Sequence, residues 1–301
     1  MADEQQEQQP SEQPAQESSP PASIDTAPAA EGAAAPTEPT AEPAATATSP
    51  AEPEPEAQGT EAKAPPLQAE MEKFRGLGKT AFVAGYTGEC GKALVQELAR
   101  TKIFSKVLLI GRREVPLEGD VYKDFAAEQK VVDYDKLDDS ADIFKGPTVG
   151  YCCLGTTRGK AGKDGFKKVD YDYVMKIGEL AKQNGCEQYH LVSSVGANAN
   201  SSMLYTRVKG QTEEETAKLE FEKFTIYRPG LLMCNREESR FGEGLMRFVS
   251  RPIDYLSPGR MTNTTLSVGQ AMIARTVKPA EEPKKIVQGR DIYTASKDIT
   301  G

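Results

Sequence analysis

One junction near residue 85 restricts the fold more than any other feature. The apolar run Thr80–Ala84 (TAFVA) passes directly into Gly85-Tyr86-Thr87-Gly88-Glu89-Cys90-Gly91. That turn opens Glu89–Arg100, where Ala93, Leu94, Leu98 and Ala99 recur at helical spacing. Glycine tolerates positive φ, lets backbone come close to a bound group and lets a helix pack on a strand. The free N–H groups and dipole at a helix start then attract an anion. A GxxGxxG triplet alone is weak evidence, and a plain tight turn uses the same residues. Its place between a strand and a helix, where the foldable part of the chain begins, supports a dinucleotide site.

The same texture continues. Lys106–Ile110 (KVLLI) ends in Gly111, Gln129–Asp133 (QKVVD) follows, and Thr148–Leu154 (TVGYCCL) ends in Gly155. Gln188–Val192 (QYHLV) and Phe224–Tyr227 complete six runs, the last leading into Arg228-Pro229-Gly230. Val169–Asn184 has helical rhythm through Val174, Ile177, Leu180 and Ala181, and Ser267–Val277 also reads as helix. Short apolar runs alternating with amphipathic stretches predict βαβ units, hence an α/β Rossmann-type, doubly wound parallel sheet. Beyond Gly230 the pattern loosens, which predicts a small, partly irregular C-terminal lobe from about residue 230. No period of 20–50 residues is visible, so a solenoid is excluded.

Ahead of this pattern the first 66 residues are dominated by Ala, Pro, Glu, Gln, Ser and Thr, with no aromatic side chain. Such a segment cannot offset the entropy of ordering its backbone. The chain is therefore expected to comprise a disordered tail, residues 1–70, and one domain, residues 71–301. Through Pro66 there are 13 acidic residues and one Lys, a net of −12; the remainder has 36 basic and 32 acidic residues, a net of +4. A mildly basic domain suits an anionic cofactor and does not call for nucleic acid. No run approaches the roughly 18 apolar residues of a membrane span. The acidic start is unlike a secretory signal or a mitochondrial presequence. Five cysteines without CxxC spacing suggest reduced thiols and a cytosolic or nuclear setting.

The second strand leads into Arg112-Arg113. An acid there would take the ribose 2′-OH of NAD, whereas guanidinium meets the 2′-phosphate of NADP with a two-pronged fork. Two arginines and no acid favour NADP(H), although a solvated basic pair would look the same. Asp133, ending the third strand, can bond an adenine amino group or cap the next helix. Tyr205 and Lys209 form Y-x-x-x-K, which on a helix brings phenol and ammonium to one face. The ammonium stabilises a phenolate, lowering a pKa otherwise near 10 toward useful proton transfer. Ser194 lies 11 positions before Tyr205, at the end of the fifth strand, so both can reach one carbonyl at the sheet's C-terminal edge.

The segments GYTGECG, LIGRR, YCCLGTTRGKAG, SSVGA, YTRVK and YRPGLLMCNREESR together resemble the Tat-interacting protein (oxidoreductase HTATIP2) family of atypical short-chain dehydrogenases, whose fungal relatives are mitochondrial-surface proteins. The resemblance spans about Lys79 to Leu245. It implies an NADPH-binding Rossmann fold, with cofactor contacts at Thr87, Gly88, Glu89 and Cys90, and with Arg112 and Arg113 on the 2′-phosphate. It implies Leu154 and Gly155 beside the adenosine or ribose, and Leu232 and Arg240 closing over the cofactor. Tyr205 would be the proton acceptor, and Lys209 its partner on the nicotinamide ribose. Members are also linked to growth control, cell death and nuclear import. Asp170 stands where short-chain dehydrogenases often carry Asn, which implies an altered proton relay. Phe241 follows Arg240 where the family has proline.

Two readings remain open: an NADPH-dependent carbonyl oxidoreductase with an unidentified small-molecule substrate, and an NADPH-binding regulator acting through growth-control or nuclear-import protein partners. His190 lies inside a strand and reads as a packed core residue rather than part of a triad. One histidine and no cysteine pair at ligand spacing argue against zinc. Adjacent Cys152 and Cys153 should face opposite sides of the sheet as core residues. Residues 156–163 (TTRGKAGK) read as a basic, glycine-rich loop that either contacts substrate or partner or is merely mobile. Kinase signatures are missing.

Overall fold

The computed structural model describes residues 66–233 and 262–300. Expectations for the tail up to residue 65, and those for Cys234, Arg240 and Phe241, lie outside the described residues. Among the described residues there are nine strands: β1 (Thr80–Ala84), β2 (Lys106–Gly111), β3 (Ala127–Val131), β4 (Val149–Cys152), β5 (Gln188–Val192), β6 (Lys223–Arg228), β7 (Leu231–Met233), β8 (Thr262–Thr264) and β9 (Lys284–Gln288). The helices are α1 (Pro66–Gly76), α2 (Glu89–Thr101), α3 (Arg158–Lys167), α4 (Tyr173–Gln183), α5 (Leu204–Ala217), α6 (Thr265–Val277) and α7 (Arg290–Thr300).

Seven strands form one parallel sheet in the order β3-β2-β1-β4-β5-β6-β9. The chain runs outward from β1 to β3, then returns to the other side of β1 at β4. That reversal opens a crevice beyond the C-terminal ends of β1 and β4, the place where such sheets bind ligands. Apolar residues fill both faces. Val83, Leu109, Tyr151 and Val192 meet α2 and α6 on one side. Phe82, Ile110, Tyr189 and Ile226 meet α4 on the other. This two-sided burial is why the central strands read as unbroken apolar runs. Among the described residues no helix is long and apolar enough to cross a membrane.

Several boundaries differ from expectation. The tail does not extend to residue 70: α1 begins at Pro66, and its Leu67 and Phe74 are buried in the core cluster that includes α6 and α7 residues. β3 starts two residues earlier than the apolar pair Val131-Val132 suggests; Val131 is exposed and Val132 lies beyond the strand. Residues 156–163 are not simply a loop. Thr157 caps α3 through its hydroxyl, which accepts from Lys160 N, and Gly162 (φ +71) kinks the helix. The described residues after Gly230 serve the main sheet as well as a lobe. β7 and β8 pair as a small second sheet, while β9 becomes the seventh strand and α6 packs on α2.

His190 is fully buried, as expected, in a polar ladder across β4, β5 and β6. Its Nδ1 lies 3.0 Å from the Tyr227 hydroxyl and its Nε2 3.3 Å from Thr276 Oγ1, which also meets the Tyr151 hydroxyl at 2.6 Å. Burial, with Lys223 and Arg275 nearby, pushes its pKa well below the ordinary value, so the folded protein holds it neutral. The unfolded chain takes up that proton near pH 6.5 and the folded one does not, so stability falls as pH drops below 6.5. His190 is the chain's only histidine. Urea midpoints measured between pH 7.5 and 5.5 are therefore expected to decline in the wild type and to flatten in His190→Gln; equal slopes would show that His190 is not the group responsible.

Candidate functional site

The glycine turn joins β1 to α2 with almost no space to spare. Gly85 has φ +79, and a Cβ there would stand 2.8 Å from Cys153 C and from Leu154 N. A Cβ on Gly91 would stand 2.3 Å from Gly85 O. The turn is closed by Gly88 N donating to Gly85 O at 3.1 Å and is tied to β2 by Gly85 N donating to Ile110 O at 3.3 Å. Gly88 occupies the N-cap of α2 in extended conformation with no side-chain cap. The first-turn N–H groups of a helix have no intrahelical partners, and no side chain of Gly88 caps the start of α2. A phosphate fits this cradle by geometry and by charge.

Arg112 and Arg113 leave the end of β2 as exposed side chains. Arg112 lies on the Tyr134 side, where its charge acts on that phenol; the Tyr134 hydroxyl donates to Ile110 O at 3.2 Å, the same carbonyl that holds Gly85. Arg113 borders a cleft of about 860 Å³ together with Thr87, Glu89 and Lys92. The two arginines therefore have different neighbours, Tyr134 for Arg112 and the cleft beside α2 for Arg113. Asp133 caps the 3-10 segment that follows it, its Oδ1 accepting from Asp135 N at 2.9 Å.

The end of β4 bridges this cradle to the chemistry. Cys153 N donates to Ala84 O at 2.9 Å, and Cys153-Leu154 press against Gly85. At the next residue, a Cβ on Gly155 would lie 3.4 Å from Asp170 Oδ1 and 3.7 Å from Lys209 Nζ. Asp170, 1% exposed, sits on a single π turn (Lys168–Asp172) ahead of α4. Its Oδ1 forms an ion pair with Lys209 Nζ at 2.8 Å, its Oδ2 accepts from Thr156 N at 2.7 Å, and its carbonyl accepts from Thr212 Oγ1 at 2.8 Å. Burial opposes the Lys209 charge, but Asp170 and Tyr205 outweigh it, and the Lys209 pKa stands above its ordinary value. The sequence marked Asp170 as a departure but not as the direct partner of Lys209.

Tyr205 and Lys209 lie one turn apart on α5, as their spacing predicts. Tyr205 is 41% exposed and stacks on Phe166 of α3, with ring centroids 5.5 Å apart, whereas Lys209 is buried. α5 is held to β6 by Arg228, whose Nε donates to Glu213 Oε1 at 3.0 Å. The loop after β5 lies against α5 because Gly210 has no side chain: a Cβ there would be 2.2 Å from Ala199 N. Ser193-Ser194 directly follow β5 at the sheet's C-terminal edge, with Ser193 N donating to Tyr227 O at 2.7 Å. Ser194 Oγ donates to Val195 O at 3.3 Å, while the Ser193 hydroxyl is buried with no hydrogen-bond partner. Leu232, on β7, is half-buried against the core. Cys152 and Cys153 do face opposite sides, and burial raises both thiol pKa values.

No protein-family profile matches the chain. It is 44% identical over 232 residues to Protein HTATIP2 of Rattus norvegicus, covering 76% of this chain and 94% of that protein. It is 29% identical over 223 residues to Protein FMP52, mitochondrial, of Eremothecium gossypii, covering 72% and 97%. Among solved structures, the UDP-glucuronic acid 4-epimerase of Bacillus cereus in complex with NAD superposes with a TM-score of 0.53 at 13% identity, over 69% of this chain and 76% of that one. At that identity the likeness shows the fold.

Two expectations follow. Gly91→Ala should unfold the turn or cost more than about 2 kcal/mol, whereas Gly88→Ala, whose Cβ would meet only Gly85 O at 3.4 Å, should cost less than about 1 kcal/mol. Chemical denaturation of both variants decides this, and equal losses would contradict the steric argument. Asp170→Ala strands a buried ammonium and should cost about 3–5 kcal/mol; a loss below about 1 kcal/mol would mean that Lys209 finds water instead.

Proposed function

We propose that this chain, which belongs to the HTATIP2 family and has the Rossmann fold of atypical short-chain oxidoreductases, is an NADPH-dependent oxidoreductase that reduces a small carbonyl compound. One observation carries the reading. The segment Cys153–Gly155 touches the phosphate turn at one end and the Lys209–Asp170 pair at the other. A cofactor whose pyrophosphate lies on Gly85–Gly91 would therefore run toward the helix that bears Tyr205 and Lys209.

The residues present fit such a group. Gly85, Thr87, Gly88, Glu89, Cys90 and Gly91 would hold the pyrophosphate, and Arg112 and Arg113 the 2′-phosphate. Leu154 and Gly155 would line the adenosine or ribose. When bound, the nicotinamide would supply hydride. Tyr205, exposed at the crevice, would give the proton to the carbonyl oxygen. Lys209, kept charged by Asp170, would stabilise the phenolate left behind. A serine hydroxyl at the end of β5 would orient the carbonyl. Ser194, which is half-buried, is that serine; the Ser193 hydroxyl is closed off from solvent.

Purified full-length protein assayed with NADPH against a panel of aldehydes and ketones is expected to show NADPH loss. That activity should fall about a hundredfold or more in Tyr205→Phe. Unchanged turnover in Tyr205→Phe would remove the phenol from the mechanism. Tight NADPH binding without turnover on any carbonyl would replace catalysis with a regulatory role, in which the cofactor stabilises the fold by mass action. Arg112→Ala and Arg113→Ala should each weaken NADPH more than NADH; equal losses would overturn the assignment of the 2′-phosphate.

A further inference from the structure

We infer that Tyr86 and Gln129 form a clamp that places the arginine pair and thereby sets discrimination between a cofactor bearing a 2′-phosphate and one without it. The inference rests on the reading that Arg112 and Arg113 meet that phosphate.

Arg112 and Arg113 open a connection that forms no helix or strand until Asp120. Two long, exposed side chains on such a segment lose much rotamer freedom when they bind, and any looseness of their backbone adds to that cost. Here the backbone is pinned. Gln129, on β3, forms a two-bond pairing with Val115: Val115 N donates to Gln129 Oε1 at 2.8 Å, and Gln129 Nε2 donates to Val115 O at 2.8 Å. Because Val115 offers one donor and one acceptor, the pairing also fixes which end of the amide is oxygen.

Tyr86 completes the clamp from the phosphate turn. Its hydroxyl lies 2.6 Å from Gln129 Oε1 and 2.9 Å from Arg113 O, so one phenolic proton serves two acceptors and ties the arginine's own carbonyl to the amide. Tyr86 is 2% exposed and the edge of its ring abuts Gly111, where a Cβ would approach Tyr86 Cε1 to 2.6 Å. Tyr86 stands between Gly85 and Thr87, so the residue that follows the first glycine of the cradle also holds the segment carrying the arginines. The two anion-binding parts are coupled through one side chain.

The coupling predicts a selective effect. Turn amides meet the pyrophosphate that both cofactors share, whereas the arginines meet a group that only NADPH carries. Tyr86→Phe keeps the ring on Gly111 and the turn intact, and frees only Arg113 O and Gln129. Gln129→Leu removes both bonds to Val115.

Isothermal titration calorimetry with NADPH and with NADH on the full chain tests this, alongside thermal midpoints of each variant. The wild type should prefer NADPH. Tyr86→Phe should weaken NADPH roughly fivefold and Gln129→Leu roughly tenfold, with NADH affinity within about twofold of wild type in both. Wild-type NADPH affinity in both variants would overturn the clamp, and so would equal losses for the two cofactors, which would mean that Tyr86 acts on the turn. If the wild type prefers NADPH and Arg113→Ala abolishes the preference while both clamp variants retain it, the clamp alone fails. If the wild type shows no preference, the arginine reading fails and the clamp fails with it.

Discussion

The site depends on one close approach, that of Gly85 to the backbone of Cys153 and Leu154. The Cβ of any side chain at residue 85 would stand only 2.8 Å from that backbone, and φ +79 excludes most residues independently. Because the contact is between main chains, it joins β1 and β4 into one rigid unit just past the ends of the strands. Two hydrogen bonds reinforce it: Cys153 N to Ala84 O, and Gly85 N to Ile110 O from the far side. β2, β1 and β4 therefore present their ends in fixed relation, and the glycine turn, the arginine pair and Leu154-Gly155 hang from those ends.

The second constraint is electrostatic. Lys209 and Asp170 have side chains 9% and 0% exposed, and at 2.8 Å they form a buried ion pair. Desolvating such a pair costs several kcal/mol per ion, an amount that the mutual attraction and added hydrogen bonds offset only when geometry is good. Here it is good: Asp170 also accepts from Thr156 N, and its backbone from Thr212 Oγ1. The pair contributes little net stability against an apolar replacement but has a definite positional effect. It locks α5, which bears Tyr205, to Thr156, the residue after the Leu154-Gly155 pair. A π turn at Lys168–Asp172 turns Asp170 inward, and such turns are often found at functional sites.

Which parts were legible in the sequence follows from where each residue's energy comes from. β1, β2 and β5 are buried on both faces, so their composition reports their state directly, and the glycine turn and YxxxK spacing are local. β9 (KKIVQ) lies at the sheet edge with only Val287 buried, so it carries no apolar run. β3 begins two residues before Gln129 because Ala127 and Glu128 are only half-buried on a strand with no fully buried residue, so no apolar run marks its start. α1 depends on Leu67 and Phe74 finding the core, a long-range effect. α3 looked like a loop because its glycines mask a Thr157 cap and an anchoring Phe166. The Asp170–Lys209 pair spans 39 positions, and no local period announces it.

The architecture also separates two tasks. Proton transfer would reside on α5, set by Asp170 from one face of the sheet. Cofactor choice would reside past β2, set by Tyr86 and Gln129 from the other. Among the described residues the part they share is the turn from Gly85 to Gly91, which supplies Gly85 to the β4 contact and Tyr86 to the arginine segment. Substitutions past β2 can then alter which dinucleotide binds without disturbing the Lys209 environment, and substitutions around α5 can alter the chemistry without disturbing the phosphate cradle. Two determinants joined through backbone at a single turn can vary independently, as long as the glycines that make the turn possible are kept.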